Sequence, residues 1–162
     1  MRKNLLLLIL FFISTVATYS QTSDAELEAM INLLGVQKKE AVGKMVALSP
    51  TEADAFWKIY DEYQVENKKT TIDRMKLYEK TANSYSSLTP EVAESLSSEY
   101  FKNRKDQEDH LETYYKKIKK ATNAKVAFQF YQAEVYLLTL LRAQIMQQIP
   151  TYGHLVHMQM SK

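Results

Sequence analysis

The side chains best suited to chemistry lie near the end of the chain, in His154-Leu155-Val156-His157-Met158-Gln159-Met160. Imidazoles at i, i+3 (His154, His157) and thioethers at i, i+2 (Met158, Met160) make a borderline-to-soft donor set, suited to Cu(I) or another late transition metal. A metal site also needs converging ligands held by an outer layer of hydrogen bonds. The plain alternative is an amphipathic chain end. Elsewhere reactive chemistry is sparse. Glycines at 35, 43 and 153 form neither GxGxxG nor a phosphate-cradling loop. With no Cys there is no thiolate nucleophile, thiolate metal site, disulfide or lipidated cysteine anchor. The serines lack a histidine, because His110 lies in a polar helical stretch and His154 and His157 lie in the tail. Acids such as Asp61-Glu62 and Glu108-Asp109 sit at solvated spacings, whereas catalytic carboxylate pairs need a cleft that fixes their separation. The sequence predicts a protein that is not an enzyme and holds no cofactor.

A second group is suited to binding. Lys116, Lys117, Lys119 and Lys120 cluster beside Tyr114 and Tyr115, with Tyr100 earlier in the same segment. Cations at the C-terminal end of a helix offset its dipole. The same lysines would also give an attractive rim for acidic client segments. Tyrosine presents an apolar body and a polar tip, which suits core edges and adaptable surfaces alike.

These residues must be positioned by helices. Three prolines and three glycines in 162 residues are too few for the many turns of a sandwich, barrel or βαβ fold. Ser49-Pro50-Thr51-Glu52 is a helix start with a cap, a proline at the first helical position and a capping-box glutamate. Thr89-Pro90-Glu91 repeats it without a glutamate at the third position. Pro150 stops the last helix, and Thr122 or Asn123 caps its start. The expected helices cover residues 23–47, 50–82, 90–120 and 124–149. The expected fold is therefore all-α, four long helices in an antiparallel hairpin or bundle. Apolar stripes run through Phe56, Trp57, Tyr60 and Tyr63 in the second helix, and through Leu96, Leu111, Tyr114 and Ile118 in the third. The fourth helix is the most apolar and is expected to be the most buried, through Phe128, Tyr131, Val135, Leu138, Leu141, Ile145 and Ile149.

The second and third helices both have polar middles. Folded about a turn near residue 86, residue i faces roughly residue 172−i, so Glu66 should meet Arg104 or Lys105, and Lys68 or Lys69 should meet Asp106. This predicts a long hairpin, thin and solvated at its waist, with apolar patches at both ends. The alternative is a solvated helix face beside an ordinary bundle.

The start of the chain has a different character. Arg2 and Lys3 precede an unbroken apolar run from Leu5 to Ile13, and small residues follow to Ser20. That order is expected of a cleaved secretory signal peptide spanning residues 1–20, cut after Ser20 or after Ala17. The run is shorter than the roughly 20 residues needed to span a membrane. Removing it takes two bases from the 21 Lys and Arg and none of the 19 acids, so the formal charge of +2 becomes zero. That balance is no footprint for nucleic acid. The organisation expected is signal peptide 1–20, one helical domain 21–150 and a short tail 151–162, in an exported protein.

Leu48-Ser49-Pro50-Thr51-Glu52-Ala53 and Leu88-Thr89-Pro90-Glu91-Val92-Ala93 align without gaps, forty residues apart. With Phe56-Trp57-Lys58-Ile59-Tyr60-Asp61-Glu62-Tyr63 and the late segment Phe128-Gln129-Phe130-Tyr131-Gln132-Ala133-Glu134, residues 45–150 resemble the Spy/CpxP-like (LTxxQ-motif) periplasmic proteins of Bacteroidetes-type bacteria. The resemblance implies a curved, often dimeric four-helix protein that holds unfolded clients without ATP or senses envelope stress. It leaves two further readings open: a structural or regulatory protein with one specific envelope partner, and a metal-responsive protein using its tail. The metal reading requires the protein without residues 1–20 to bind Cu(I) at micromolar concentration or tighter, with loss on replacing His154 and His157 by Ala. A titration without saturable binding in that range removes it.

Overall fold

The computed structural model describes residues 24–148. The signal-like segment and the His/Met tail therefore lie outside the described residues. Four helices follow in order: α1 (Asp24–Met45), α2 (Pro50–Ser84), α3 (Pro90–Ala121) and α4 (Ala124–Gln148), with a 3-10 turn at Tyr85–Ser87 between α2 and α3. No strand occurs among the described residues. Each helix packs on its neighbours in the cycle α1–α2–α3–α4–α1.

The helix starts behave as their residue types dictate. Ser49 donates to Glu52 Oε2 twice, from its backbone N–H at 3.1 Å and its hydroxyl at 2.5 Å. Glu52 also accepts from the Asn123 amide, which ties the start of α2 to the α3–α4 turn. Asn123 is the cap of α4, its Oδ1 accepting from the N–H groups of Lys125 at 2.8 Å and Val126 at 3.0 Å. At α3 the Thr89 hydroxyl accepts from Val92 N–H at 3.3 Å. The second copy of the repeat has the cap and lacks the clamp. Leu48 is half-buried and packs against the core, whereas Leu88 is exposed.

The main core lies at the end where the starts of α2 and α4 meet. Val42, Val46, Phe56, Tyr60, Tyr63, Leu111, Tyr114, Ile118, Val126, Ala127, Phe130 and Ala133 are buried together there. Phe130 sets its ring edge-to-face against three rings of α2, with centroids 6.4 Å from Phe56, 6.1 Å from Tyr60 and 5.3 Å from Tyr63. Each such pair contributes about 0.5–1.5 kcal/mol beyond its burial. α1 lies against α2 at Gly43, where a Cβ would stand 3.4 Å from the Trp57 ring, about van der Waals contact. A smaller cluster of Leu77, Tyr78 and Leu96 occupies the distal end of the α2–α3 hairpin.

The waist between them differs from expectation in two ways. First, the hairpin register is displaced by about one helical turn. Tyr63 lies against Tyr114, Arg74 donates to Asn103 at 2.7 Å, and Lys80 pairs with Glu99 at 2.5 Å, so paired numbers sum to about 177. α2 runs to Ser84, two residues past its expected end, and continues into the 3-10 turn, which moves the centre of the connection beyond residue 86. Glu66 accordingly lies 4.0 Å from His110 rather than beside Arg104 or Lys105, whereas Lys69 pairs with Asp73 on its own helix at 2.8 Å and also feels the expected Asp106 charge across the hairpin. Second, beneath its exposed charged side chains the waist holds a buried polar layer of Asn67, Asn103 and Gln107. Asn103 donates to Thr70 O at 3.0 Å, and Arg142 of α4 donates to Gln107 Oε1.

The Glu52 carboxyl is held below its ordinary value of 4.5 mainly by the Ser49 hydroxyl, with the Ser49 N–H, Asn123 and Lys125 adding to the effect. A depressed folded-state pKa adds stability that is complete above the unfolded value and disappears as pH falls through the folded one. The thermal midpoint should therefore fall as pH drops below about 4.5, and Glu52→Gln should lower the neutral-pH midpoint while flattening that acid limb. Calorimetry between neutral and acidic pH checks this, and an unchanged acid limb in the variant contradicts it.

Candidate functional site

At the centre of the main core sits a carboxylate. Glu134, on α4, is 0% exposed. A carboxylate removed from water is costly unless charge and hydrogen bonds replace its hydration. Three side chains do so. Lys38 of α1 pairs with Oε2 at 2.5 Å, Tyr63 donates to the same oxygen at 2.7 Å, and Tyr60 donates to Oε1 at 3.2 Å. The Lys38 ammonium also stands 5.1 Å from the centre of the Tyr63 ring. Burial, reinforced by the neighbouring Glu134 charge, raises both phenols well above the ordinary tyrosine value of 10.0. Both therefore stay protonated and remain donors.

His110 extends this polar seam, stacking on Tyr63 at 5.5 Å and lying 4.9 Å from Tyr114. The arrangement is a register device. Each of α1 and α2 contributes donors that must meet one point on α4. No cluster of three or more metal-ligating His, Asp or Glu exists among the described residues.

The opposite side of α4 carries a surface. Its buried face is Val126, Ala127, Phe130, Ala133 and Glu134, so the expected inward stripe points outward at its first three positions. Phe128 is 55% exposed, and Tyr131 and Val135 are exposed beside it. Tyr136 and Leu140 are exposed further along the same helix. α4 is apolar nearly all round, so periodicity cannot choose its inner face. The small residues Ala127 and Ala133 decide it, since they allow close approach to the neighbouring helices. The helix expected to be most buried thus presents apolar side chains to solvent.

The expected client-binding residues divide into separate environments. Tyr114 is fully buried, which withdraws it from any surface, and Tyr115 is half-buried against the core. Tyr100 lies fourteen residues away along α3, about 21 Å at 1.5 Å per residue. It is half-buried, with its hydroxyl donating to Leu77 O at 3.2 Å. Lys116 pairs with Glu112 at 2.5 Å, and the Lys117 ammonium stands 4.0 Å from the centre of the Tyr114 ring. Lys119 and Lys120 are exposed in the last turn of α3, and Lys125 is exposed just past the turn. Basic side chains thus flank the turn that leads into the Phe128–Val135 face. The candidate metal ligands His154, His157, Met158 and Met160 lie outside the described residues.

Glu134 is the residue that sequence reasoning passed over. The available signal was its place on the helical wheel: eight residues after Val126, four after Phe130 and three before Leu137, it lies on one face with them. No protein-family model, curated protein or solved structure matches the chain.

Removing one partner of a buried pair leaves the other charge uncompensated, at about 3–5 kcal/mol. Glu134→Gln should therefore destabilise the protein by about 3 kcal/mol, and adding Lys38→Met should recover a large part of the loss. Urea unfolding of the parent, the two single variants and the double variant measures this coupling. Simple additivity of the two changes contradicts it.

Proposed function

We propose that this is an exported helical binding protein that holds unfolded or partly folded envelope proteins in the periplasm without ATP. The observation that carries the reading is the solvent-facing apolar side of α4, with Phe128, Tyr131 and Val135 exposed, next to a turn flanked by Lys119, Lys120 and Lys125. Monomeric domains seldom leave contiguous apolar area uncovered unless something binds it. Aromatic and aliphatic side chains give an adaptable contact, and lysines attract acidic client segments over a salt-dependent range. No described helix is long and apolar enough to cross a membrane.

The signal-like residues 1–20 and the resemblance to the Spy/CpxP-like proteins support export and client holding. They also support a second copy as a partner, which light scattering measures directly. Chemistry adds nothing against this reading, because the buried Glu134 is occupied in structure rather than aimed at a substrate.

The test is an aggregation assay with a reduced or chemically denatured client and the protein lacking residues 1–20. Near-stoichiometric protein should suppress light scattering, and suppression should weaken with added salt. Phe128→Ser together with Val135→Ser should reduce it at least fivefold while circular dichroism stays unchanged. If the parent leaves aggregation untouched and a pull-down yields a single envelope protein, the protein is instead a structural or regulatory element with one specific partner.

A further inference from the structure

We propose that Arg74 and Arg142 form a half-buried binding site for a small, doubly charged oxyanion of the phosphate class at the waist of the α2–α3 hairpin. The site is separate from the apolar face of α4 and does not depend on client holding.

The geometry begins with two buried amides. Asn103 and Gln107 stand one turn apart on α3, and each offers its side-chain oxygen to an arginine from a neighbouring helix. Arg74 of α2 donates through Nε to Asn103 at 2.7 Å, and Arg142 of α4 donates through Nη2 to Gln107. Asn103 is itself fixed by its bond to Thr70 O. The Arg74 guanidinium is further framed by aromatic rings, with centroids 5.1 Å away at Tyr100 and 5.9 Å away at Tyr78. Two guanidinium groups are thus each held by a neutral anchor, and the anchors stand about one helical turn, roughly 5–6 Å, apart on α3.

What is missing is a counter-charge. The described acids with ion-pair partners are committed elsewhere: Glu134 to Lys38, Asp61 to Lys39, Asp73 to Lys69, Glu99 to Lys80 and Glu112 to Lys116, with Glu66 beside His110. No carboxylate pairs with Arg74 or Arg142 among the described residues. Burial depresses Arg74's affinity for its proton, and the Arg142 charge adds to this, while Tyr78 and Tyr100 oppose it. Arg74 Nη2 is buried and has no hydrogen-bond partner. A water molecule would satisfy that N–H but would leave the two like charges without a counter-ion. An oxyanion satisfies the donor and neutralises both, and the planar fork of each guanidinium suits two-point contact with its oxygens.

Isothermal titration of the purified protein at about pH 8, where phosphate carries about two negative charges, provides the test. Sodium phosphate should give saturable one-to-one binding over a background of sodium chloride at equal ionic strength. Acetate, planar and singly charged, should bind at least tenfold more weakly. Arg142→Lys keeps the charge and loses the fork, so it should weaken phosphate binding at least tenfold. Arg142→Gln should abolish it, with helix content checked by circular dichroism in both variants. Absence of saturable phosphate binding, equal acetate affinity, or unchanged phosphate affinity in a folded Arg142→Lys protein would each overturn the assignment.

Discussion

A carboxylate shut away from water dictates much of this structure. Glu134 lies among Val126, Phe130 and Ala133 on α4, where an apolar residue of similar size would pack without further demands. Because it is an acid, its two oxygens require donors, and these come from Lys38 on α1 and from Tyr60 and Tyr63 on α2. A slip of α1 or α2 by one turn along α4 would strand a buried charge. Replacing such networks by hydrocarbon is often neutral or stabilising in other proteins. Here the network supplies specificity: it selects one register among the several that four apolar-striped helices could adopt. The aromatic rings around Phe130 then pack against helices already aligned.

That alignment also explains why α4 can leave hydrocarbon outside. With Phe130 and Glu134 both committed to the interior, Val126, Ala127 and Ala133 share their side, and Phe128 and Val135 are carried to the outer side by the helical period. The inward polar group and the outward apolar face are two consequences of a single rotation of α4 about its axis.

The helix boundaries were legible because local chemistry sets them. Ser49, Thr89, Asn123 and the prolines at 50 and 90 act within a few residues of themselves, and the helices begin where those residues place them. The buried stripes of α2 and α3 were legible for a related reason, since each of those helices has a strongly polar side that leaves no choice of inner face. α4 lacks such a side, so its orientation depended on Ala127, Ala133 and a glutamate that composition marks as a surface residue. The hairpin register was displaced because α2 runs on through Ser84 into the 3-10 turn at Tyr85–Ser87, a continuation that no cap or proline marks. Of the expected binding residues, Lys119 and Lys120 stayed at the surface, whereas Tyr114 was drawn inward by its place between Leu111 and Ile118.

The polar layer of Asn67, Asn103 and Gln107 divides the apolar interior into a large cluster at the closed end and a small one around Leu77, Tyr78 and Leu96. Amides at a waist contribute little to the cooperative transmission of packing, since their hydrogen bonds are local to the layer. The distal tip of the hairpin rests on few buried side chains and on the exposed Lys80–Glu99 pair. Opening free energies are lowest where buried apolar contacts are fewest. The tip should therefore open at a lower free energy than the closed end, so that amide protection falls along the hairpin from its root to its point.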